Sequence, residues 1–545
     1  MNKIAQYLNE HILGEATSAK SIRQRFSRDG SVLSIMPEVV IHPRVTNDIR
    51  KIARFTWQLA EKGHVMPITI RGGGSDQTGA AIGSGIIIST AAHLNNIIHL
   101  DLKNKAQFVH VQPGANFGLV NDVLKSHGMI IPSFPTSYTY STVGGAVANN
   151  ASGVLSGNSG ATGDWVTRLE VVLANGDLIE TKRINRHELS KRKGLQTFEG
   201  EIYRKIDGLI EDNQDLISAK ISSTDRDNIG YSGIAKVKNR DGSFDLTPLF
   251  IGSQGTLGIV SEIILKPDFY SNEESIIITT FNNFETAKTA ADLLTSLKPA
   301  TLDLIDGKVF DMAHEKYGKK FVFSDESGNP AIVLIASFND LNESAKNRKL
   351  KHAIKKLSKI DTKIYTDQDY SLEELQAIQS VSSLILQPDS DNECLPPLID
   401  GASIPYERRS EFIDSLSVLA DRHHVELPFH ISWLDGIVHA RPLLHLHLVS
   451  DKQKVFKLIA EYAELINKIG GIFIAQSGEG RTKATAGYTL LDEKVLDLYS
   501  NIRTAFDPFG TLNPGVKQKS DLKTLISNLN CDYDLSDFAQ HSPKN

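Results

Sequence analysis

A chain of 545 residues is longer than one hydrophobic core normally organises, so two or three packed units are expected. Its 59 Lys and Arg against 65 Asp and Glu leave a formal charge of -6 without a long basic block, which argues against nucleic acid as a partner. Cys394 and Cys531 belong to no CxxC pair, so disulfide scaffolds, thiolate zinc sites and Cys-ligated iron–sulfur clusters are disfavoured, and any redox chemistry needs another group.

Met1 to Arg23 lacks an uninterrupted apolar core and does not read as a signal peptide. No apolar run is long enough to span a bilayer. A cytoplasmic protein is expected, a reading compatible with peripheral membrane contact and with a homodimer. From Pro37 the pattern predicts a strand over Val39 to His42, a helix from about Asn47 to Lys62, and a strand from Met66 to Ile70 that runs into glycines. After those glycines, Gly83 to Ser89 reads as another strand, where a Rossmann dinucleotide unit would start a long helix. Neither a GxGxxG in the right context nor a Walker A sequence is present, so nicotinamide and nucleoside-triphosphate readings lose their main support.

Between Phe108 and Lys266 short strands alternate with turns: Phe108 to Val111, the helix Phe117 to His127, Leu169 to Leu173 with its turn Ala174 to Asp177, and Leu249 to Leu265. This is an α+β layout. Beyond Pro267, longer amphipathic helices such as Phe284 to Lys298 and Ala345 to Ser358 flank apolar strands such as Ala331 to Ala336, marking a second domain. A helix over Tyr499 to Phe506 is stopped by Asp507-Pro508-Phe509-Gly510. The expected organisation is a lead-in over 1–30, a first domain over 31–267 divided near 100, a second over 268–500, a returning segment over 501–520 and a tail over 521–545.

Segments rich in Gly, Ser, Thr and Asn punctuate this plan: Arg71 to Gly85, Pro132 to Gly163, Gly252 to Gly258, and Asn513-Pro514-Gly515. Glycine lets backbone N–H groups approach an anion closely and turn inward, and small hydroxyl and amide side chains add donors. Each segment alone is equally consistent with tight turns between strands. Their order carries more. Ser27 to Ser31, Arg71-Gly72-Gly73-Gly74-Ser75, Thr142-Val143-Gly144-Gly145 leading to Asn149 to Gly153, Gly252 to Ile259, and Leu512-Asn513-Pro514-Gly515 together resemble the FAD-binding oxidoreductases of the vanillyl-alcohol oxidase and p-cresol methylhydroxylase type, in the D-lactate, glycolate and 2-hydroxyglutarate dehydrogenase branch.

That resemblance implies an α+β fold: a two-subdomain FAD-binding module, an α+β substrate or cap domain, and a C-terminal helical return to the flavin. It implies that Arg71, Gly72, Gly73, Gly74, Ser75 and Thr78 surround the pyrophosphate. Pro135, Thr136, Thr142, Gly144, Gly145, Asn149, Ser152 and Gly153 would line the flavin, with Ile259 and Asn513 completing the site. Some members tether the flavin through a histidine in the first glycine loop; Arg71 to Gly85 has none, so FAD is expected to bind without a covalent bond.

The same resemblance covers His439-Ala440-Arg441-Pro442-Leu443-Leu444 and Ser477-Gly478-Glu479-Gly480, the latter similar to an SGEHG segment whose histidine is the base in relatives and is replaced here by Gly480. It implies a divalent ion, Zn or Mn, on His430, His439 and Glu479, although an apparent insertion around Trp433-Leu434 separates the histidines. His445 and His447, at strand spacing among leucines, read as locally hydrogen-bonded residues. Leu375 to Gln379 stands where relatives carry a carboxylate-pairing arginine, leaving Arg441, Arg481 or Lys483 to substitute. His439 is therefore assigned the proton abstraction, with Glu479 and Arg441 orienting the substrate.

Two functions follow from these residues. One is an FAD-dependent dehydrogenase that oxidises a hydroxyl-bearing carbon of a 2-hydroxy acid by hydride transfer to flavin N5 and passes electrons to a quinone, a carrier protein or oxygen. The other is an altered FAD-binding subunit or sensor that works in a complex. A non-redox enzyme like the alkyl-glycerone-phosphate synthases shares the cradle but has no separate support in these residues.

Overall fold

The computed structural model describes residues 2–104, 106–221, 226–271, 273–318, 320–324, 328–381 and 393–530. Its first layer is a four-stranded sheet in which Glu15–Thr17, Val39–His42, Ile86–Ser89 and Ile68–Arg71 lie side by side in that order. The apolar run of Ile86–Ser89, buried along its length, takes a central place with parallel neighbours on both sides. Helix Thr46–Glu61 connects the outer parallel strands and buries Ile49, Ile52 and Ala53 against them. Residues of the expected lead-in join this sheet: Glu15–Thr17 pairs with Val39–His42, and the buried Asp48 carboxylate accepts the N–H groups of Leu13, Gly14 and Arg44.

An antiparallel sheet of five strands follows, in the order Ile97–Asp101, Phe108–Val111, Ile259–Leu265, Val166–Val172, Leu178–Thr181. The boundary between the two sheets thus falls between Ser89 and Ile97. The stretch Leu249 to Leu265, expected as extended, divides into a short helix Thr247–Phe250, a turn and the strand Ile259–Leu265. Pro248 sits in the first turn of that helix, where its missing N–H costs nothing, and Gly252, Gln254 and Gly255 adopt positive φ to reverse the chain.

Beyond Pro267 lies an antiparallel sheet of seven strands, ordered Lys363–Thr366, Ser275–Phe281, Ile332–Phe338, Thr301–Asp306, Phe429–Ser432, Ile437–Ala440, Ala402–Ser403. Side-chain alternation gives it two faces. Leu302, Leu304, Leu334, Ala336, Ile431 and Val438 pack under the helices Phe284–Thr295, Glu343–Leu357, Arg409–His423 and Val449–Lys468. On the opposite face Ile305, Val333 and Ile335 pack with Val309 and Phe310 of helix Gly307–Tyr317.

The chain then returns. Helix Glu493–Phe506, longer at its start than the expected 499–506, buries Val495, Leu498, Ile502 and Phe506 in the core of the five-stranded sheet. Leu512 bridges in parallel to Ile68, so the returning segment reaches the edge of the first sheet. His445 and His447 lie outside any strand; His445 pairs with Glu393 and Asp451. Cys394, half-buried, donates its thiol to the Leu444 carbonyl, and burial pushes its pKa up to about 12, so it is no thiolate. Cys531 lies outside the described residues.

Candidate active site

Between the first two sheets runs a groove of about 1310 Å³. Gly72, Gly73, Gly74, Ser75, Pro135, Thr136, Thr142, Gly144, Gly145, Asn149 and Ser152, all expected at the cofactor, line it. Its floor is backbone. A Cβ on Gly72 would collide with the Thr142 hydroxyl, and one on Gly73 with the Tyr140 carbonyl, so the loop comes this close only without side chains. Gly74 adds a positive φ of 79°. Among the described residues, the N–H groups of Gly73, Gly74, Ser75, Asp76 and Gln77 donate to no other group of the chain. Consecutive free N–H groups on a turn make a site for an anion such as a pyrophosphate. Ser152 contributes a buried hydroxyl that also lacks a partner. The groove therefore fits FAD: donors for the phosphates, small residues, and an orphaned polar atom awaiting a ligand.

Asp76 shapes this loop, accepting from the Thr78 and Ala80 N–H groups and from Asn149 Nδ2. Sequence reasoning missed it, along with Gln254, Gly258, Tyr140 and Gln476, which also line the groove. Gln254 lies within the cited segment Gly252 to Ile259, so its neighbours were a usable signal; Gln476 had none. No histidine or cysteine is among the described residues that line the groove.

Several expected cofactor residues stand outside it. The Arg71 guanidinium donates to the Arg28 and Ala81 carbonyls and lies over Phe26. Thr78 is buried one layer behind, where it bonds Asp76 and receives the Arg481 N–H on its carbonyl. Asn513 fastens the returning segment to Ala80, Gln254 and Thr69, and the Ile259 side chain lies in the core while Gly258 and Val260 face the groove. Gly153 lines the adjoining cavity instead. Arginine, threonine and asparagine here hold the cradle's walls because their donors are consumed by backbone carbonyls or neighbouring side chains.

That adjoining cavity, of about 960 Å³, shares Thr136 and Gln476 with the groove. Its floor is one face of the seven-stranded sheet, carrying Asp303, Ile305, Ile335, His430, Ser432, Ile437 and His439. The Trp433-Leu434 insertion does not part the histidines. It forms the tip of a hairpin in which His430 and His439 are direct cross-strand partners, with ring centroids 5.4 Å apart. Trp433 is buried, stacked against Arg409, and donates to Asp292.

Asp400 organises the polar end. Its Oδ1 accepts from His439 Nδ1 at 2.6 Å, and its Oδ2 accepts from Arg441 Nε and Nη2 at 2.9 and 2.5 Å. Burial would raise this carboxyl, but Arg441, His439 and Lys483 outweigh it and hold it well below the ordinary carboxylate value. With its proton fixed on Nδ1 by Asp400, the His439 ring keeps Nε2 as a lone-pair base. Arg441 retains Nη1, buried and without a partner. Of the other cations considered, Arg481 donates to the carbonyls of Pro514 and Ile82 and to Asn513, inside the protein. Lys483 donates to the Asp400 carbonyl, and burial brings its pKa down to about 8 against the pull of Asp400. Gln379, at the end of helix Leu372–Gln379, lines the cavity where an arginine was sought.

Glu479 is elsewhere. Fully buried, it forms an ion pair at 2.5 Å with the equally buried Lys517 and accepts the Gly230 N–H, which engages both oxygens. His430 meanwhile donates Nε2–H to Asp303 at 3.0 Å. The donor set expected for Zn or Mn is thus not assembled, and no group of three candidate ligands occurs among the described residues. Gly480 has a related cause: with φ of 55°, a Cβ there would collide with the Thr78 hydroxyl and carbonyl, so a histidine has no room.

The fold and these cavities define a flavin-binding class of protein, and comparison with known proteins supplies the family. Residues 37–182 match the FAD binding domain family and residues 271–516 the C-terminal domain of FAD linked oxidases. The chain belongs to the FAD-linked oxidoreductases that join these two domains, and its cofactor is FAD. It is 25% identical to a D-2-hydroxyglutarate dehydrogenase of Haemophilus influenzae over 96% of this chain and 53% of that one. With a glycolate oxidase subunit of Bacillus subtilis it shares 24% identity, covering 90% of this chain and 91% of the other. The chain spans about half the length of the first of these curated relatives. A solved p-cresol methylhydroxylase with substrate bound superposes with a TM-score of 0.68 at 14% identity, over 96% of this chain and 97% of that one, which shows the shared fold.

Proposed function

We propose that this chain oxidises the hydroxyl-bearing carbon of a 2-hydroxy acid, with FAD bound non-covalently in the glycine-lined groove. One observation carries the reading: Asp400 joins His439 to Arg441 and leaves a ring nitrogen and a guanidinium N–H available in a cavity that meets the groove at Thr136 and Gln476. Gly72 to Gln77 and Ser152 would hold the cofactor. When bound, FAD supplies the acceptor for the hydride that leaves C2 of the substrate.

The chain's own residues do the rest. Arg441 Nη1 pairs with the substrate carboxylate; its neighbour Asp400 keeps the guanidinium plane fixed, so the acid is oriented before reaction. His439 Nε2 accepts the hydroxyl proton, and Asp400 stabilises the imidazolium that forms. Gln476, at the junction, donates Nε2–H to the Ser152 carbonyl and so ties the cavity to the groove wall. The relatives' activities by name, D-2-hydroxyglutarate dehydrogenase and a glycolate oxidase subunit, agree with a 2-hydroxy acid. The reduced cofactor would discharge to an acceptor outside this chain, whose cysteines form no cluster.

Anaerobic mixing of the flavin-loaded protein with a panel of 2-hydroxy acids tests this. Loss of the oxidised flavin band is expected, with one equivalent of 2-oxo acid formed per flavin. If no acid bleaches it, the chain is an FAD-binding subunit or sensor rather than this dehydrogenase.

A further inference from the structure

Resting on that reading, we infer that the substrate is a 2-hydroxy monocarboxylic acid with a branched or aromatic apolar side chain. The cavity has two unlike ends. Arg441 is the only Lys or Arg among its described lining residues, and two of its N–H groups already serve Asp400, so one carboxylate can be matched. Away from that end the sheet face turns apolar. Ile305 and Ile335 are fully buried floor residues, Val309 of helix Gly307–Tyr317 forms a wall beside them, and Phe429 and Val154 extend the apolar lining.

A second carboxylate on the substrate would be placed among these residues with no Lys or Arg among the described lining residues at that end to receive it, and with the Asp303 carboxylate nearby, since Asp303 and Ile335 are direct cross-strand partners. An uncompensated charge in apolar surroundings is strongly disfavoured, and like charge adds to the penalty. The segment 382–392, outside the described residues, contains no Lys or Arg in its sequence. At the other extreme, glycolate and lactate carry little or no side chain to pack against the apolar lining. Each buried methylene adds about 0.8 kcal/mol of binding, so larger apolar side chains gain most here.

The stoichiometry is that of any such oxidation. With FAD bound as the two-electron acceptor, C2 would lose its hydrogen as hydride, His439 would take the hydroxyl proton, and the C2–O bond would become the carbonyl of a 2-oxo acid. Only the side chain on C2 differs.

The test measures the rate constant and half-saturation of anaerobic flavin bleaching in the FAD-loaded full chain. The probes are glycolate, lactate, 2-hydroxy-4-methylpentanoate, 3-phenyllactate and 2-hydroxyglutarate. The branched and aromatic acids should exceed lactate by about 10-fold or more, and 2-hydroxyglutarate by about 100-fold, in second-order rate constant. Ile335→Ala should lower the ratio of 2-hydroxy-4-methylpentanoate to lactate by about 10-fold. Should that variant not fold, Val309→Ala, a smaller truncation on a different element, should lower the same ratio by about 3-fold. Fastest bleaching by 2-hydroxyglutarate or glycolate overturns this inference and leaves the 2-hydroxy-acid dehydrogenase standing; no bleaching by any acid overturns both.

Discussion

The glycine-lined groove and the cavity beside it meet at Thr136 and Gln476, yet they are built differently. The groove is a backbone construction: five consecutive N–H groups from Gly73 to Gln77 are left free by a loop that tolerates no Cβ at its closest approach, Gly72 and Gly73. The cavity is a side-chain construction, in which Asp400, His439, Arg441 and Lys483 converge from distant parts of the chain. A cofactor common to a whole family is held by what every residue has. A substrate in the cavity would be met by what individual residues carry.

If the groove depends on backbone approach, Gly73→Val should remove the flavin altogether. Purified protein should lack the oxidised flavin spectrum, with affinity down by more than about 100-fold, or about 3 kcal/mol, while circular dichroism reports a retained fold. An unchanged flavin content would break the contrast.

Perturbing the cavity should leave the flavin in place. His439→Gln is expected to lower the bleaching rate constant by about 1000-fold with FAD content intact. Arg441→Met should raise half-saturation by about 100-fold or more, since Asp400 also loses a buried partner, and Arg441→Lys should recover little of the bidentate pairing. Loss of FAD in either variant would show that the two regions are not separable.

Lys483 sharpens the same point through pH. Its folded-state value of about 8 lies below the unfolded one of 10.5, so between these pH values the unfolded chain binds the extra proton. Stability from this group therefore rises as pH climbs from 8 to 10.5, by up to about 3 kcal/mol. Denaturation midpoints across that range should show the rise in the parent and not in Lys483→Met. The smallest effect expected is from chelation. Because Glu479 is committed to Lys517 and Gly230, dialysis against EDTA should change the bleaching rate less than about 2-fold. A large, zinc-reversible loss would show that the ion pair opens to admit a metal.

Much of this molecule was legible in one dimension because it is local. Strand Val39–His42 and helix Thr46–Glu61 follow from apolar periodicity, and the glycine segments from the conformations only glycine takes readily. The strand within the lead-in left no sequence signal because Glu15–Thr17 is too short to show a period and finds its place by pairing with Val39–His42. The stretch Leu249–Leu265 misled because its apolar content does not separate a short helix from a strand; Pro248 was the available clue.

By itself, then, the order of residues determined the α+β elements, and its resemblance to a known family implied the cofactor class and the candidates His439 and Arg441, since that resemblance rests on short ordered segments. Tertiary structure decided which candidates work together. It seated His430 beside His439 by hairpin register, withdrew Glu479 into a pair with Lys517, withdrew Arg71, Thr78 and Asn513 into the scaffold, and supplied Asp400, which no motif had announced. The physical reason is that a donor's role depends on whether a partner already occupies it. Partners brought from across the chain leave no trace in spacing.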